Sequence, residues 1–177
     1  MTSRPIDPVS SPEAYRRSIL AALGDDDPVE AQTGAVAQMR GLVADAGPLI
    51  GTRPEPNEWS VLECIGHIVD SELIGSVRYR WILAEDRPPL VGYDQDLWVS
   101  GLGHGQDDPG LLVELFAALR RSNLDLWTRR SLEDRARVGI HTERGPESYE
   151  LTFRLIAGHD RVHLGQARRA LDQIRGR

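Results

Sequence analysis

The chain has 177 residues, a length that favours one domain with a substantial core over two full domains. Hydrophobic residues make up 40% of it and charged residues 27%, which is the balance of an ordinary folded, soluble protein. The net charge of -6 disfavours a protein that coats nucleic acid. The one cysteine, Cys64, excludes an internal disulfide and a multi-cysteine zinc site.

No part of the sequence indicates a membrane protein. The segment MTSRPIDPVSSP lacks the apolar core of a signal peptide. No apolar run approaches the roughly 18–20 residues that cross a bilayer. We therefore expect a cytoplasmic protein with no membrane and no nucleic-acid partner. The arginine-rich run from Arg161 to Arg177 is interpreted as solvated cations near the end of a helix, where the helix dipole favours them.

A short helix is predicted near the N-terminus. It starts with the capping pattern of Ser10 and Glu13 and ends at Gly24. We predict that residues 1–26 form an N-terminal extension containing this helix. Residues 27–177 are predicted to form the main domain.

Two longer helices follow. The first has Asp27 as its N-cap and Pro28 as its first residue, and it stops at Gly47. The second begins with a capping box of Ser60 and Glu63. Apolar residues recur along it at helical spacing: Leu62, Ile65, Val69, Leu73 and Val77.

The segment 87–107 has the composition of a long loop, and long connections in compact domains are often functional. Two of its aromatic residues, Tyr93 and Trp98, either line the mouth of a pocket or attach the loop to the core. After it, Asp108 begins another amphipathic helix, and residues 128–148 connect this helix to the last one.

The final helix is predicted from about Pro146 to Ile174. No segment indicates a paired β-strand. Four amphipathic helices with long connections predict an all-α four-helix bundle, preceded by the short N-terminal helix.

The stretch IAGHDRVHLGQARRAL contains the residues most suggestive of chemistry. His159 and His163 are four residues apart and therefore lie on one face of the final helix, where both should point inward. His67, in the middle of an earlier helix, is the best third ligand for a divalent ion, because three neutral imidazoles suit zinc or nickel and leave positions open for water or substrate. Alternatively, His67 is a hydrogen-bonded core residue and the other two are a partly exposed pair.

Other polar residues have two interpretations each. Three acids, Glu63, Asp70 and Asp160, either orient the histidines or pair helices. The remaining histidines, His104 and His141, are expected to be exposed loop residues.

Three arginines and the cysteine complete the candidates. Arg78, Arg80 and Arg154 either meet an anionic substrate or form structural ion pairs. Cys64 is expected to behave as a small buried apolar residue.

The segments EWSVLECIGHIVDSE, GYDQDLW and ERGPESYELTFRLIAGHDRVHLGQARRAL resemble the DinB/YfiT-like superfamily of metal-binding four-helix bundles. The resemblance covers about residues 28 to 174. Members share a Trp-Ser pair at the start of the second bundle helix, a histidine on that helix and an HxxxH pattern near the chain's end. The corresponding residues here are Trp59-Ser60, His67, His159 and His163.

The resemblance implies an up-down-down-up bundle in which His67, His159 and His163 bind a divalent metal, often nickel or zinc. It implies a homodimer and a small-molecule substrate. Characterised members are S-transferases or isomerases that use a low-molecular-weight thiol, and others are named as metal-dependent hydrolases. Either activity would use the metal to activate a thiol or water. The alternatives are a non-catalytic, stress-associated metal-binding module and a metal-free helical interaction protein.

Overall fold

The computed structural model describes residues 11–176. Its elements in chain order are α1 (Pro12–Leu23), α2 (Pro28–Ala46), α3 (Val61–Ala84), β1 (Pro89–Leu90), α4 (Gln95–Leu102), α5 (Pro109–Thr128), α6 (Leu132–Ala136), β2 (Val138–His141), β3 (Gly145–Ser148) and α7 (Tyr149–Ile174). Single 3₁₀ turns lie at Gly47–Leu49 and His104–Gln106. Within the described residues, no helix is long and apolar enough to cross a membrane.

The predicted starts of the three middle helices are confirmed. Side chains of Asp27 and Asp108 accept hydrogen bonds from backbone amides in the first turns of α2 and α5. Ser60 and Glu63 form the reciprocal capping box at the start of α3. Ser10 lies outside the described residues, and Ser11 immediately precedes α1.

Helices α2, α3, α5 and α7 form the predicted bundle, and pairs of contacts give their directions. These contacts are His67–His159 and Tyr79–Tyr149 between α3 and α7, Glu72–Arg120 and Arg80–Asn123 between α3 and α5, and Gln32–Phe153 and Asp45–Arg168 between α2 and α7. The helices α2 and α7 therefore run one way and α3 and α5 the other, which is the up-down-down-up order. The parallel pair α3 and α5 requires the long connection between them.

A buried ion network lies where the four bundle helices meet. The Arg120 guanidinium binds both carboxylate oxygens of Glu72, at 3.0 and 2.8 Å, and reaches Asp160 at 2.7 Å. It also donates to the Gln32 carbonyl at 3.0 Å, while Asn123 donates to Glu72 at 2.8 Å. All five residues are buried. The network therefore ties α2, α3, α5 and α7 to one another at a single level of the bundle.

The structure contains three short strands, so the expectation of no strand was wrong. β1 pairs in parallel with β2, with Leu90 opposite His141, and β2 pairs antiparallel with β3. A Cβ at Gly139 would lie 2.8 Å from the Leu90 side chain, so this sheet needs a glycine there. Strands of two to four residues are too short to show the period-two alternation that identifies a strand in sequence.

Two helix boundaries also differ from the prediction. The segment 87–107 contains α4, whose N-cap Asp94 accepts from two backbone amides and whose end is Gly103 in the left-handed conformation (φ 73°). The final helix begins at Tyr149 with Ser148 as N-cap, because Pro146 is taken up by β3. The connector 128–148 holds α6 as well as the β2–β3 hairpin.

The N-terminal helix α1 packs against α7. Its Ile19 and Leu23 are buried, and Arg161 of α7 donates to the Leu23 carbonyl at 3.1 Å. The division of the chain at residue 26 stays a prediction.

Replacing Arg120 with methionine should lower the free energy of unfolding by about 3–5 kcal/mol, because it leaves two buried carboxylates without their cation. Arg129→Met is the matched control on the same helix. Its ion pair with Asp125 is also 2.8 Å long but exposed, and such pairs contribute about 0–1 kcal/mol. Urea unfolding followed by circular dichroism measures both losses. Equal losses would contradict the role given to the network.

Candidate metal centre

Three histidines from two antiparallel helices meet inside the bundle. α3 contributes His67 and α7 contributes His159 and His163, one helical turn apart. The Nε2 atoms of His67 and His159 are 3.0 Å apart. One nitrogen from each of the three rings lies within 4.8 Å of the other two. The structure therefore brings together all three residues singled out from sequence.

The three rings are almost completely shielded from water. Exposure is 1% for His67, 6% for His159 and 2% for His163. Trp59 covers them from one side, with its ring 5.1 Å from that of His67 and stacked 6.0 Å from that of His163. The Trp-Ser pair thus has two uses, since Ser60 caps α3 and Trp59 closes over the imidazoles.

Burial keeps these imidazoles neutral at physiological pH. Desolvation lowers the pKa of His163 to about 4. Desolvation, followed by repulsion from neighbouring histidines, places the pKa values of His67 and His159 well below the usual 6.5. Neutral rings have a lone pair free for a cation.

Gln166 orients one of the rings and was missed from sequence. Its Oε1 accepts from Nδ1 of His163 at 2.9 Å, which leaves Nε2 of that ring as the nitrogen with the lone pair. The signal was readable, because a residue three positions after a histidine on a helix lies on the same face.

Two hydroxyl groups lie beside the histidines. Ser71 Oγ is 3.4 Å from His159 Nε2 and 2.6 Å from the Tyr93 hydroxyl. Desolvation raises the pKa of Tyr93, so its hydroxyl stays protonated. Tyr93 therefore lines the site, and Trp98 packs on it with ring centres 4.4 Å apart. Ser71 was missed, although it lies one turn after His67.

A pocket that is partly open to solvent adjoins the histidines. His67 and His159 lie on its wall. The N-terminal helix contributes Tyr15, and the β2–β3 hairpin contributes Arg144. Its remaining wall includes the apolar side chains Ile74, Leu155 and Ile156. The site is thus buried but reachable.

The three acids considered from sequence do not orient the histidines. Asp160 belongs to the buried ion network. Glu63 caps α3 and accepts from Arg53 at 3.0 Å. Asp70 pairs with His104 at 2.8 Å. The helix-pairing interpretation therefore holds for Asp160, and the other two acids anchor neighbouring loops.

The expectation that His104 and His141 are exposed was wrong. His104 is buried against Gly66, where any Cβ would clash with its ring, and its two nitrogens bond Asp70 and Asp107. His141 is buried because it belongs to the central strand β2. Neither lies in the three-histidine cluster.

The remaining candidates divide clearly. Arg80 bonds Ser122 and Asn123, and Arg154 bonds the carbonyl of Gly24, so both have structural contacts. Arg78 instead lines the pocket. Cys64 is buried as expected, and desolvation raises the pKa of its thiol, which makes it a poor nucleophile.

An up-down-down-up bundle with a buried three-histidine cluster defines a class of proteins, and comparison with known proteins names it. The family model of the DinB superfamily matches residues 37–167. The chain belongs to this superfamily.

Known proteins with similar sequences or folds agree with this assignment. The chain is 25% identical over 105 residues to proteins from Bacillus cereus and Bacillus thuringiensis subsp. konkukian, each named "Putative metal-dependent hydrolase". The match spans 59% of this chain and 60% of each relative. The fold is similar to that of YfiT from Bacillus subtilis, described as "a probable metal-dependent hydrolase with an unusual four-helix bundle topology", with a TM-score of 0.77 and 17% identity over 93% of this chain and 89% of that one.

The metal-free protein should lose stability as the pH falls from 6.5 to 4, partly because unfolded His163 binds a proton that the folded state excludes. A shift from 6.5 to about 4 corresponds to a loss on the order of 3 kcal/mol, which His163→Gln should remove. Urea unfolding at several pH values, with chelator present, measures it.

His104→Gln is the control with the opposite sign. Desolvation lowers the pKa of His104, but the bonds to Asp70 and Asp107 outweigh it and raise the pKa overall. The stabilisation that protonated His104 provides is therefore present at low pH. It is lost as the pH rises through the pKa that His104 has in the folded protein. Parallel pH profiles for the two variants would contradict both assignments.

Proposed function

We propose that the protein is a metal-dependent enzyme in which His67, His159 and His163 hold a divalent ion, nickel or zinc, that activates water or a low-molecular-weight thiol against a small-molecule substrate. The observation that carries the proposal is the convergence of three buried, neutral imidazoles, two of which line a pocket. Homodimer formation belongs to the proposal through the family resemblance alone, and a cytoplasmic location is kept as the expectation drawn from the sequence.

The donor set fits such an ion. The 3.0 Å between the Nε2 atoms of His67 and His159 is short enough for both nitrogens to be ligands of one divalent ion. Without a cation, two imidazole nitrogens at this distance must share a proton. Gln166 supplies the expected orienting contact for the third ring.

Catalysis is favoured over a purely structural site. Structural zinc sites have four protein ligands, whereas among the described residues only three donors come together. The adjoining pocket and the hydroxyls of Ser71 and Tyr93 have no use in a closed structural site.

The chain's own residues would supply positioning and proton transfer. A bound divalent ion would lower the pKa of water or a thiol, which provides a nucleophile at neutral pH. Ser71 and the protonated Tyr93 form a hydroxyl pair beside His159, suited to donate a hydrogen bond to a developing anion on the substrate. Trp59 excludes water from the opposite side of the rings. The names of the relatives favour hydrolysis, and the family resemblance keeps thiol transfer as the second reaction.

Protein purified without a histidine tag should contain about one nickel or zinc ion per chain, measured by elemental analysis. His67→Asn, His159→Asn and His163→Asn should each lose it, because two imidazoles bind an ion far more weakly than three. The matched controls are His104→Asn and His141→Asn, which remove buried histidines outside the cluster. Retention of the metal in the cluster variants, or no binding after addition of both ions, would rule out the centre.

Tyr93→Phe and Ser71→Ala should keep the metal and reduce kcat by about 100–1,000-fold, the usual contribution of a hydrogen-bond donor to a developing charge. The assay is a panel of activated esters for hydrolysis, and of low-molecular-weight thiols with an electrophile for transfer. Trp98→Phe, which alters only the packing on Tyr93, is the control. Unchanged kcat in both hydroxyl variants would remove them from the mechanism.

A further inference from the structure

Arg78 is a buried arginine that has no acidic partner in the part of the chain the structure describes. It is 8% exposed and lies on the pocket wall. Its Nη2 donates to the Val91 carbonyl at 2.6 Å, whereas its Nε is buried and without a hydrogen-bond partner among residues 11–176. A buried charge is normally paired and fully hydrogen-bonded. The unsatisfied Nε therefore indicates a missing anion.

Neither of the two neighbouring acids, Glu147 and Glu143, forms an ion pair with Arg78. Glu147 accepts from Arg144 through both oxygens, at 2.6 and 3.2 Å, and Arg16 lies 3.5 Å from it. Glu143 is half-buried, and its carboxylate rests against Gly92. This region therefore holds three guanidinium groups and two carboxylates. The former belong to Arg16, Arg78 and Arg144, and the latter to Glu143 and Glu147. One positive charge is left over, and Arg78 carries it.

Arg78 lies on the same wall as the metal centre. His67, Ser71, Ile74 and Arg78 follow one another at intervals of four, three and four residues along one face of α3, and all four line the pocket. Eleven residues of helix rise about 16 Å. Between the two ends the wall carries the apolar side chains of Ile74, Leu155 and Ile156 as well as Ser71. The pocket therefore has a charged end, an apolar middle and a metal-binding end.

We propose that Arg78 binds a carboxylate of the substrate, so that the substrate class is a small, elongated carboxylic acid whose reactive group reaches the three histidines. A planar carboxylate can take two parallel hydrogen bonds from Nε and an Nη of one guanidinium. A single excess positive charge matches a monoanion better than a phosphate dianion. That the substrate's reactive group reaches the histidines rests on the proposed function. That Arg78 binds a carboxylate does not.

The test uses the full-length, metal-free protein and three probes with a short alkyl chain: hexanoate, its neutral isostere hexanamide, and the bulkier dianion hexyl phosphate. Titration calorimetry gives the affinities, and the NMR signal of the Arg78 Nε–H reports contact with the probe. Arg78→Gln should weaken hexanoate binding at least tenfold. Arg80→Gln, which removes an arginine two residues away that contacts α5, should leave it unchanged. Hexanamide should bind the wild type at least tenfold more weakly than hexanoate.

Each other result overturns the proposal. Equal binding of hexanoate to Arg78→Gln, equal binding of hexanamide, or tighter binding of hexyl phosphate would each do so. If Arg78→Gln does not fold, Ile74→Trp keeps every arginine and fills the middle of the pocket. Binding should then be lost, and unchanged binding would contradict the site. Hexanoate should bind His163→Ala as it binds the wild type, so a failed metal centre and a failed carboxylate site give different results.

Discussion

The Arg120 guanidinium, buried between two carboxylates, is the interaction on which the geometry of the site depends. Glu72 is the residue after Ser71, and Asp160 is the residue after His159. Because Arg120 binds both acids, it fixes the position of α3 relative to α7 along the helix axes. This position decides which side chains of the two helices meet on the faces that carry the histidines. The 3.0 Å distance between the Nε2 atoms of His67 and His159 depends on this relative position of the two helices. Hydrophobic packing alone tolerates small shifts between helices, whereas a bidentate ion pair does not.

The interior of this bundle thus has an ion network on one face and neutral polar side chains on another. On α3 and on α7, consecutive residues belong to the two different faces. On one face, Arg120 pairs with the carboxylates of Glu72 and Asp160. The Gln32 carbonyl accepts a hydrogen bond from Arg120, and Asn123 donates one to Glu72. On the other face, desolvation keeps three imidazoles uncharged, and no carboxylate of residues 11–176 contributes to raising their pKa values. Because Asp160 is held by Arg120, it cannot turn toward the histidines. The arrangement keeps the imidazole lone pairs free for a cation, and it leaves Arg78, which is buried and forms no ion pair within residues 11–176, at the far end of the pocket.

Local patterns in the sequence were sufficient for the starts of α2, α3 and α5, for a helical bundle and for the pairing of His159 with His163, because caps and the i, i+4 spacing act within one helix. Gln166 and Ser71 obey the same spacing rule and could have been found with it. Contacts between distant segments could not. Nothing local in the sequence indicates that His104 lies on Gly66, that Arg120 lies between two acids from other helices, or that Leu90 covers Gly139 in a sheet of very short strands. The division into an extension and a main domain, and the metal-binding role of the histidines, remain predictions.

The close packing of α1 on α7 has a consequence for how this protein can diversify. A Cβ at Gly158 would clash with the backbone of Ile19, so α1 sits directly on the backbone of α7 beside His159. From that position α1 places Tyr15 and Ile19 in the pocket wall, although it contributes none of the three histidines. Substitutions on the inner face of α1 can therefore alter which molecules fit while the four helices that hold the histidines stay the same. Changes in α1, whether by evolution or by design, can therefore alter the selectivity of the pocket for small molecules, provided that residue 158 remains a glycine.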